Sequence, residues 1–458
     1  MAGMGEGRSA GATGRAARRI ARLWVVAMLG CVVTASPAAG APDRDRSGAA
    51  TPGGRSSLHL RATYDVSASI ELATGRIRVR STMSVLNTSG GRVDRLELNT
   101  IAAVLGGISH VSATVAGRKV RVDVRGQTLV VPLPGGLGNG DRALVTVRYR
   151  ARFRASTGGD DWLWSRANGI ISAYRWIPWV SRRVRFARPN HGDPFVTPVS
   201  PRVRATLTTD RPATFATSGR QVAERGTSRT FVARDVRDFN FTVSAGYRVS
   251  TGRSADGDTG IRVVTRTANA ARMLAWARRA LRRYEALVGP YAYPALTLAE
   301  SSGGYAMESP ALIWIPRGAS SSALPYLIAH ETAHQWFYAA VGNDQADAPF
   351  ADEALADLLA RTLVDQWRAS RCPTSRLDLS IYGYRGACYY ETIYVQGARF
   401  LDRMRRRMGD ARFWDAVGEY YHTNRWRLTN TRRLLEVLRA AATYDPLPSY
   451  RERFPRYY

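Results

Sequence analysis

The hydrophobic pattern of this chain changes its period once, near residue 267. From about residue 58 to 250 the apolar positions alternate, as in β-strands that bury one face. In the stretch ALVTVRYRARFR, the apolar face consists of Val145, Val147, Tyr149, Ala151 and Phe153. Turn-forming stretches such as NTSGG and PGGLGNGD separate these runs. The sequence therefore predicts an antiparallel β domain with one packed face and one hydrated face.

After residue 267 the apolar positions repeat every 3.6 residues, as in amphipathic helices. The first helical stripe ends at Gly289 and Pro290 and consists of Met273, Ala277, Ala280, Leu281, Tyr284 and Leu287. Further helices are predicted at about 322–341, 352–367, 395–408, 411–422 and 430–442, with strands around ALTLAE and ALIWIP. The prediction is an α+β multidomain chain, with an N-terminal antiparallel β domain at 58–250 and a mainly helical domain at 251–458.

The first 41 residues have the pattern of an export signal. A cluster of arginines at 15–22 precedes the apolar run LWVVAMLGCVV, and small residues follow. That run is too short for a stable membrane anchor, so cleavage is expected between Ser36 and Ala41. Cys31 and the preceding residues MLG weakly resemble a lipoprotein box. The apolar run continues past this cysteine, which argues against lipidation. We expect a signal peptide at 1–41, followed by a flexible linker at 42–57. After cleavage, no transmembrane segment is expected. The expected location is secreted or extracytoplasmic, with association with the cell surface as an open alternative.

After signal cleavage, two cysteines remain, Cys372 and Cys388. Exported proteins mature in oxidising compartments, where paired cysteines form disulfides. A Cys372–Cys388 disulfide is the favoured interpretation. Two unrelated buried thiols are the alternative that the spacing leaves open.

The formal net charge of +29 comes almost entirely from arginine, because Lys119 is the single lysine. The arginines are scattered over strands and helices, which favours a hydrated basic surface over a designed binding patch. No specific nucleic-acid partner is predicted. A polyanion-binding surface, in loose association with an anionic envelope, is the alternative.

The stretch HETAH contains two of the six histidines of the chain, His330 and His334, four positions apart. On a helix both project from one face, so their imidazoles can reach one tetrahedral Zn²⁺. Glu331 is rotated by about 100° from His330, which leaves it close enough to reach a metal-bound water as a base. Two buried helix histidines without a metal are the alternative interpretation.

A catalytic zinc takes three protein ligands and keeps one open position. The segment PFADEALADLLA supplies Glu353, which follows His334 after 18 intervening residues at the start of the next predicted helix. Asp352 and Asp357 flank this glutamate. Either carboxylate could orient a ligand imidazole by accepting its distal N–H.

HETAH with Glu353 resembles the HExxH-x18-E signature of the M1 family of zinc aminopeptidases, which are gluzincins. GGYAMESPALIWI resembles the GAMEN segment of that family, and TIYVQGARFLDRM resembles its Y-E-K-G-A segment. The resemblance covers about residues 58–445 and implies that the mainly helical domain is a thermolysin-like zinc-peptidase domain. The long C-terminal helical domain of many members is not expected here.

The resemblance also implies roles for individual residues. One Zn²⁺ would be held by His330, His334 and Glu353. Glu331 would be the general base, and Tyr394 would stabilise the tetrahedral intermediate. Ala306, Met307 and Glu308 would contact the substrate, with Glu308 meeting its free α-ammonium. The expected substrates are therefore peptides with a free N-terminus.

Two departures from the family pattern concern specificity more than catalysis. Tyr305 and Ser309 replace the first glycine and the asparagine of GAMEN, and Val395 and Gln396 replace Glu and Lys of Y-E-K-G-A. An endopeptidase of the same fold with a more open cleft is one alternative. A secreted binding protein that uses an arginine-rich surface is another, although the intact base Glu331 argues against it.

Overall fold

The computed structural model describes residues 57–188, 190, 192–266 and 269–458. The predicted signal peptide at 1–41, including Cys31, lies outside the described residues, as does the predicted linker at 42–57 except for Ser57. Within these ranges, no helix combines the length and the apolar character needed to cross a membrane.

The largest sheet has eight strands. In spatial order they are β14 (Arg220–Arg225), β15 (Ser228–Ala233), β12 (Val203–Thr209), β1 (Leu60–Glu71), β2 (Arg76–Asn87), β8 (Arg142–Arg152), β4 (Ser109–Val115) and β5 (Arg118–Val120). Neighbouring strands are antiparallel except β1 and β12, which run parallel. The prediction of an antiparallel domain therefore misses one pair. A parallel pair needs a long connection, and the chain between these two strands is long enough to contain ten others.

The central strands of this sheet follow the predicted alternation. Along β8, Val147, Tyr149 and Ala151 are buried while Arg148 and Arg150 are exposed. The stretch RKVRVDV (118–124) also alternates in sequence, but it is divided between β5 and a second short strand and is mostly exposed. Alternation therefore indicates strands, but by itself it does not show which of them bury a face.

Two four-stranded sheets complete the β-rich region. One is ordered β13 (Thr214–Thr217), β16 (Phe241–Ser244), β10 (Ile170–Ala173) and β9 (Trp164–Ala167). The other is ordered β11 (Trp179–Val180), β3 (Val93–Asn99), β7 (Thr128–Leu137) and β6 (Asp123–Arg125). Their apolar faces and the inner face of the large sheet enclose a first hydrophobic core, which includes Trp162, Trp164 and Trp176.

A five-stranded sheet follows in the chain. Its order is β17 (Arg248–Arg253), β18 (Gly260–Thr265), β19 (Ala295–Ser301), β21 (Leu312–Pro316) and β20 (Met307–Ser309). The strands predicted around ALTLAE and ALIWIP are β19 and β21. The predicted domain boundary at residue 250 lies inside β17. Strand β20 is at the edge of the sheet, so one side of its backbone has no neighbouring strand.

One short α-helix lies within the β-rich region, and the other seven described α-helices follow in the second half of the chain. Most of these later helices pack around a second hydrophobic core. In chain order the α-helices are α1 (Ala102–Leu105), α2 (Ala270–Val288), α3 (Leu324–Ala333), α4 (Leu355–Val364), α5 (Gly397–Met408), α6 (Asp410–Asn424), α7 (Thr431–Ala441) and α8 (Leu447–Arg453). The predicted stripe of α2 is buried except at its end, where Val288 is buried and Leu287 is half-buried. A large N-terminal β-rich domain with helices later in the chain is thus the observed architecture.

Helix α3 is shorter than the predicted helix at 322–341, because it ends at Ala333 with His334 as its C-cap. The next residues form tight turns, in which the N–H of Ala339 donates to the carbonyl of His334 at 2.9 Å. Tyr338 has a φ of 129°, a conformation that costs about 1–3 kcal/mol and persists only under tertiary constraint. Such a constraint is present, since the Tyr338 hydroxyl donates to Asp238 and accepts from Arg175.

Candidate metal centre

The last turn of α3 brings the two histidines of HETAH together. The Nε2 atoms of His330 and His334 lie 3.1 Å apart, and the two side chains are 8% and 1% exposed. The i, i+4 spacing places them on one helix face, and the turn at His334 keeps its backbone in the helical region. The early end of α3 therefore does not separate the pair.

Glu353 reaches the same point from the next helix. It lies in a π-helical turn, Phe350–Ala354, which precedes α4. Its Oε2 lies 3.3 Å from His330 Nε2 and 3.4 Å from His334 Nε2. Short π-helical segments are rare and occur frequently at functional sites. The 18-residue interval therefore returns the chain to the histidines, as the sequence predicted.

The three donor atoms have the spacing of ligands to one zinc ion. Tetrahedral zinc with bonds of about 2.0–2.1 Å places neighbouring ligand atoms about 3.3–3.4 Å apart, close to the separations measured here. In addition, Glu353 Oε2 is buried and accepts no hydrogen bond. Two imidazoles and one carboxylate form a donor set that suits Zn²⁺. The residues present therefore fit a zinc ion.

Asp352 and Asp357 lie on the Nδ1 sides of the two histidines, whose Nε2 atoms face Glu353. Asp352 Oδ1 lies 2.7 Å from His334 Nδ1, which also lies 3.0 Å from the carbonyl oxygen of Phe337. Asp357 Oδ1 lies 3.8 Å from His330 Nδ1, longer than a hydrogen bond. The two carboxylates are thus placed where the sequence suggested, but Asp352 has the closer contact.

Three further polar residues fix these carboxylates and were not identified from the sequence. Gln345 Nε2 donates to Glu308 Oε1 at 2.9 Å and to Asp352 Oδ2 at 3.0 Å. Tyr326 and Arg361 each donate to Asp357. Gln345 lies on the loop between the histidines and Glu353, and only the folded loop brings it to the site.

Glu331 and Glu308 form a second cluster of acidic groups with His334. Atoms of Glu308, Glu331 and His334 lie within 4.8 Å of one another. Glu308 is on the edge strand β20, and both glutamates are buried. Glu331 Oε2 has no hydrogen-bond partner. Burial raises the pKa of Glu331 well above its ordinary value and that of Glu308 to about 7.

The neighbouring residues of the GAMEN-like segment take different positions. Met307 is buried in the first hydrophobic core, and Ala306 is half-buried. Tyr305 is 41% exposed, and its ring meets the edge of Trp162 at 5.7 Å. The hydroxyl of Ser309 accepts from Asn240 Nδ2 at 2.6 Å. Any substrate contact of Ala306 and Met307 would therefore be made by the backbone at the start of β20 and just before it.

Tyr394 lies in a second π-helical segment, Tyr390–Gln396, ahead of α5. Its ring stacks on the His330 imidazole with centroids 5.4 Å apart. Burial and the negative charge of Glu353 raise the pKa of Tyr394 well above its ordinary value. The phenol is therefore held beside the three donor atoms in its protonated form.

The predicted Cys372–Cys388 disulfide is present, with Cα atoms 5.5 Å apart. It closes the loop that leads into the π-helical segment of Tyr394. Gln396, one of the departures from the family pattern, donates to the carbonyl oxygens of Cys372 at 3.1 Å and Thr374 at 2.9 Å. This glutamine therefore connects the disulfide loop to the Tyr394 segment.

The electrostatics of the centre favour a bound cation. Burial alone would lower the pKa of His334, but Asp352 and Glu353 outweigh it and raise this pKa well above the ordinary value. Burial alone would raise the pKa of Glu353, but the two histidines hold it well below its usual range. Acidic side chains thus surround the imidazoles on several sides, and this negative environment is stabilised by positive charge.

The β-rich region also contributes a buried ion pair near the centre. Arg188 NH2 lies 3.0 Å from Asp193 Oδ1. Burial raises the pKa of Asp193 to about 7, although Arg188 lowers it, and the charges of Glu308 and Glu353 add to the increase. No pattern in the sequence indicates this pair, because the segment around it has neither strand nor helix periodicity.

No protein-family model and no curated protein sequence matches this chain. Among solved structures, a mutant of an M1 zinc metallopeptidase from Deinococcus radiodurans has a TM-score of 0.65 and 19% identity, covering 86% of this chain and 94% of that chain.

Two further structures have a similar relationship to this chain. A two-domain M1 zinc metallopeptidase mutant bound to L-arginine has a TM-score of 0.64 and 21% identity, covering 84% of this chain and 91% of that chain. A Deinococcus radiodurans M1 mutant bound to a Tyr-Ser-Ala substrate has a TM-score of 0.63 and 19% identity, covering 86% and 93%. This chain has the fold of the two-domain M1 zinc metallopeptidases.

Proposed function

We propose that this chain is an exported zinc aminopeptidase that removes N-terminal residues from peptides. The observation that carries the proposal is the convergence of His330 Nε2, His334 Nε2 and Glu353 Oε2 within 3.1–3.4 Å of one another. The fold shared with M1 zinc metallopeptidases supports the same assignment. These residues would hold one zinc ion, with the thermolysin-like arrangement expected of a gluzincin.

A zinc ion held here supplies Lewis-acid polarisation of a carbonyl group and a water of lowered pKa. Glu331 would remove the proton from the attacking water and transfer it to the leaving amine. Its carboxylate is buried with one oxygen free of hydrogen bonds, and burial raises its pKa well above the ordinary value, which makes the carboxylate a stronger base.

Tyr394 would donate its phenolic proton in a hydrogen bond to the oxyanion that develops on the scissile carbonyl. Its position over the His330 ring and its raised pKa both support this role. A donor placed before the reaction requires no reorganisation as the charge develops. Loss of one such donor typically costs about 2.7–4 kcal/mol of transition-state stabilisation.

Glu308 would bind the α-ammonium of the substrate and so set the position of the cleaved bond. Gln345 donates to Glu308 Oε1, which leaves the other carboxylate oxygen for the substrate. The outer backbone edge of β20, which begins at Met307, and the preceding residue Ala306 would lie along the first residue of the peptide. Peptides with a free N-terminus are therefore the proposed substrates.

The proposal includes export, with residues 1–41 as signal peptide and a secreted or extracytoplasmic location. The Cys372–Cys388 disulfide supports it, because such bonds persist in oxidising compartments.

An endopeptidase of the same fold is the second candidate, and Tyr305 is the observation that favours it. Its large exposed ring stands where the family segment has glycine, so it changes the surface beside the β20 edge. An endopeptidase would not depend on a free α-ammonium. The two candidates therefore differ in their response to an N-terminal blocking group.

The proposed function can be tested with the purified mature protein and amino-acid arylamides. We expect about one zinc per molecule and hydrolysis that stops after chelation and returns with added zinc. His334→Ala should lose the metal, whereas Glu331→Gln should keep it and lose turnover. Turnover by Glu331→Gln equal to that of the wild type would contradict the assigned base, and full zinc occupancy in His334→Ala would contradict the ligand set.

A further inference from the structure

Six arginines face one another across two neighbouring strands on the outer face of the eight-stranded sheet. The pairs are Arg76 with Arg152, Arg78 with Arg150, and Arg80 with Arg148. All six are exposed, while the residues between them point into the first hydrophobic core. We refer to these three cross-strand pairs as the arginine ladder.

Like charges directly opposite each other on a sheet are destabilising. Glu71 on β1 offsets part of this repulsion, since its carboxylate lies 3.8 Å from Arg76 and 3.5 Å from Arg78. For the other four arginines, the described part of the chain offers no carboxylate within ion-pair distance. The ladder therefore keeps most of its positive charge, which is costly for the fold unless an anion neutralises it.

The middle of the ladder lies in a shallow groove with a volume of about 450 Å³. Arg78, Arg80, Arg148 and Arg150 line it, together with hydroxyl groups that include Ser67 and Ser69. The guanidinium groups supply forked donors that match phosphate oxygens, and the hydroxyl groups supply neutral donors beside them. The groove thus offers both types of donor that an esterified phosphate chain requires.

The repeat of the ladder matches a linear ligand. Alternate residues of a strand are about 7 Å apart, so three pairs present positive charge at about 7 Å intervals over about 14 Å. A polymer whose phosphodiester groups are joined by short polyol units has a comparable spacing between charges. A single small anion would engage only one pair.

We propose that the arginine ladder binds a linear polyanion of phosphodiester-linked polyol units. The site lies on the β-rich domain and does not depend on the proposed peptidase activity. Predicted export would bring this face to the anionic polymers of a cell envelope. Binding there would hold the protein at the surface.

Two other anionic partners fit the groove less well. Single-stranded nucleic acids bind through exposed aromatic side chains that stack on bases. Among Phe, Tyr and Trp, the groove is lined by Tyr149, which is 2% exposed and donates its hydroxyl to the carbonyl of Trp176. The other ring in the lining is the exposed imidazole of His110. A bilayer surface favours apolar side chains that insert beside the basic residues. The groove is concave, and its apolar members Ala68 and Val79 are buried.

The test compares two variants with equal loss of charge. The ladder variant carries Arg→Gln at Arg78, Arg80, Arg148 and Arg150. The control variant carries Arg→Gln at four exposed arginines outside the sheet, Arg272, Arg282, Arg283 and Arg412. Binding of a glycerol-phosphate oligomer is measured by calorimetry at several salt concentrations, with a single-stranded oligonucleotide and phosphatidylglycerol vesicles as comparison probes.

We expect the ladder variant to lose at least about tenfold in affinity for the oligomer and to show a shallower salt dependence, because fewer phosphates are neutralised. The control variant should lose less than about threefold. The ladder variant should melt at the same or a higher temperature, since repulsion is removed. If four changes impair folding, a double variant, Arg80→Gln with Arg148→Gln, is compared with a double control of equal charge, Arg282→Gln with Arg283→Gln.

Equal losses in the two four-residue variants would overturn the proposal, because net charge alone would then explain binding. Tighter, ladder-dependent binding of the oligonucleotide or the vesicles than of the glycerol-phosphate oligomer would overturn the identity of the partner. Absence of measurable oligomer binding by the wild type at low salt would overturn the site itself.

Discussion

Asp352 Oδ1 lies 2.7 Å from His334 Nδ1, so the residue next to one proposed zinc ligand orients another. The same carboxylate accepts from Gln345, which also holds Glu308. Ligand orientation and the proposed substrate contact are therefore connected through one buried glutamine.

Replacing Asp352 with alanine should weaken zinc binding without removing a ligand. The imidazole of His334 would lose the acceptor that fixes its tautomer and ring orientation, which typically costs about 10–100-fold in metal affinity. Competition with a chromophoric chelator measures this loss. Asp344→Ala is the matched control, because Asp344 lies on the loop that precedes the π-helical turn of Asp352 and its carboxylate pairs with Arg182 instead of a histidine. Equal affinities for Asp352→Ala and the control would contradict the orienting role.

Replacing Tyr394 with phenylalanine should reduce kcat by about 10²–10³ with zinc occupancy unchanged, because the proposed oxyanion donor is lost while the packing against His330 remains. Steady-state kinetics together with metal analysis test this expectation. Tyr390→Phe removes a hydroxyl from the same π-helical segment and should have a much smaller effect on kcat. An unchanged kcat in Tyr394→Phe would assign the oxyanion contact to another group.

Removing the disulfide should destabilise the loop that leads to Tyr394. The cysteines are 16 positions apart, and closing a loop of this size contributes about 3 kcal/mol in the chain-entropy model. We expect the double variant Cys372→Ser with Cys388→Ser to unfold at a lower denaturant concentration than the wild type. Its kcat should fall by a larger factor than its zinc occupancy. Thiol titration of the unfolded, unreduced mature protein should detect no free cysteine, and two reactive thiols would contradict the bridge.

Asp238 should make the folded protein less stable as the pH rises from about 4 to about 6. Burial raises the pKa of Asp238 to about 6, although Arg175 and Tyr338 oppose the increase. The unfolded value is about 3.9, so the folded state binds the proton more tightly and loses stability as the pH passes through the folded pKa. The shift of about two units corresponds to about 3 kcal/mol.

The comparison is between wild type and Asp238→Asn, which does not titrate. Unfolding free energies are measured across this pH range with saturating zinc, so that protonation of the metal ligands affects both proteins alike. The wild type should lose stability relative to the variant as the pH rises. Parallel pH profiles would show that Asp238 has an ordinary pKa in the folded protein.

Local spacing accounts for the parts of the site that sequence analysis found. His330 and His334 are related by one helical turn, and this relationship survives although α3 ends at Ala333. Glu353 was identified from its interval after His334, and the structure brings it to both imidazoles. These features depend on short stretches of chain whose periodicity is visible in the sequence.

The features that were missed depend on contacts between distant segments. Gln345 lies in a loop without periodicity, and the Arg188–Asp193 pair comes from the β-rich region. The parallel pairing of β1 and β12 and the positive φ of Tyr338 are likewise set by tertiary structure. No local pattern in the sequence indicates which distant residue completes such a contact.

Glu308 carries the claim that this chain is an aminopeptidase, so the most direct test is the ratio of kcat/KM for a free-amino peptide to that for its N-acetylated form. Loss of one partner of a buried charge pair costs about 2–5 kcal/mol, so the wild type should prefer the free peptide by at least about 30-fold. Glu308→Ala should retain zinc and lose most of this preference. Equal cleavage of both peptides by the wild type would contradict the account and favour an endopeptidase.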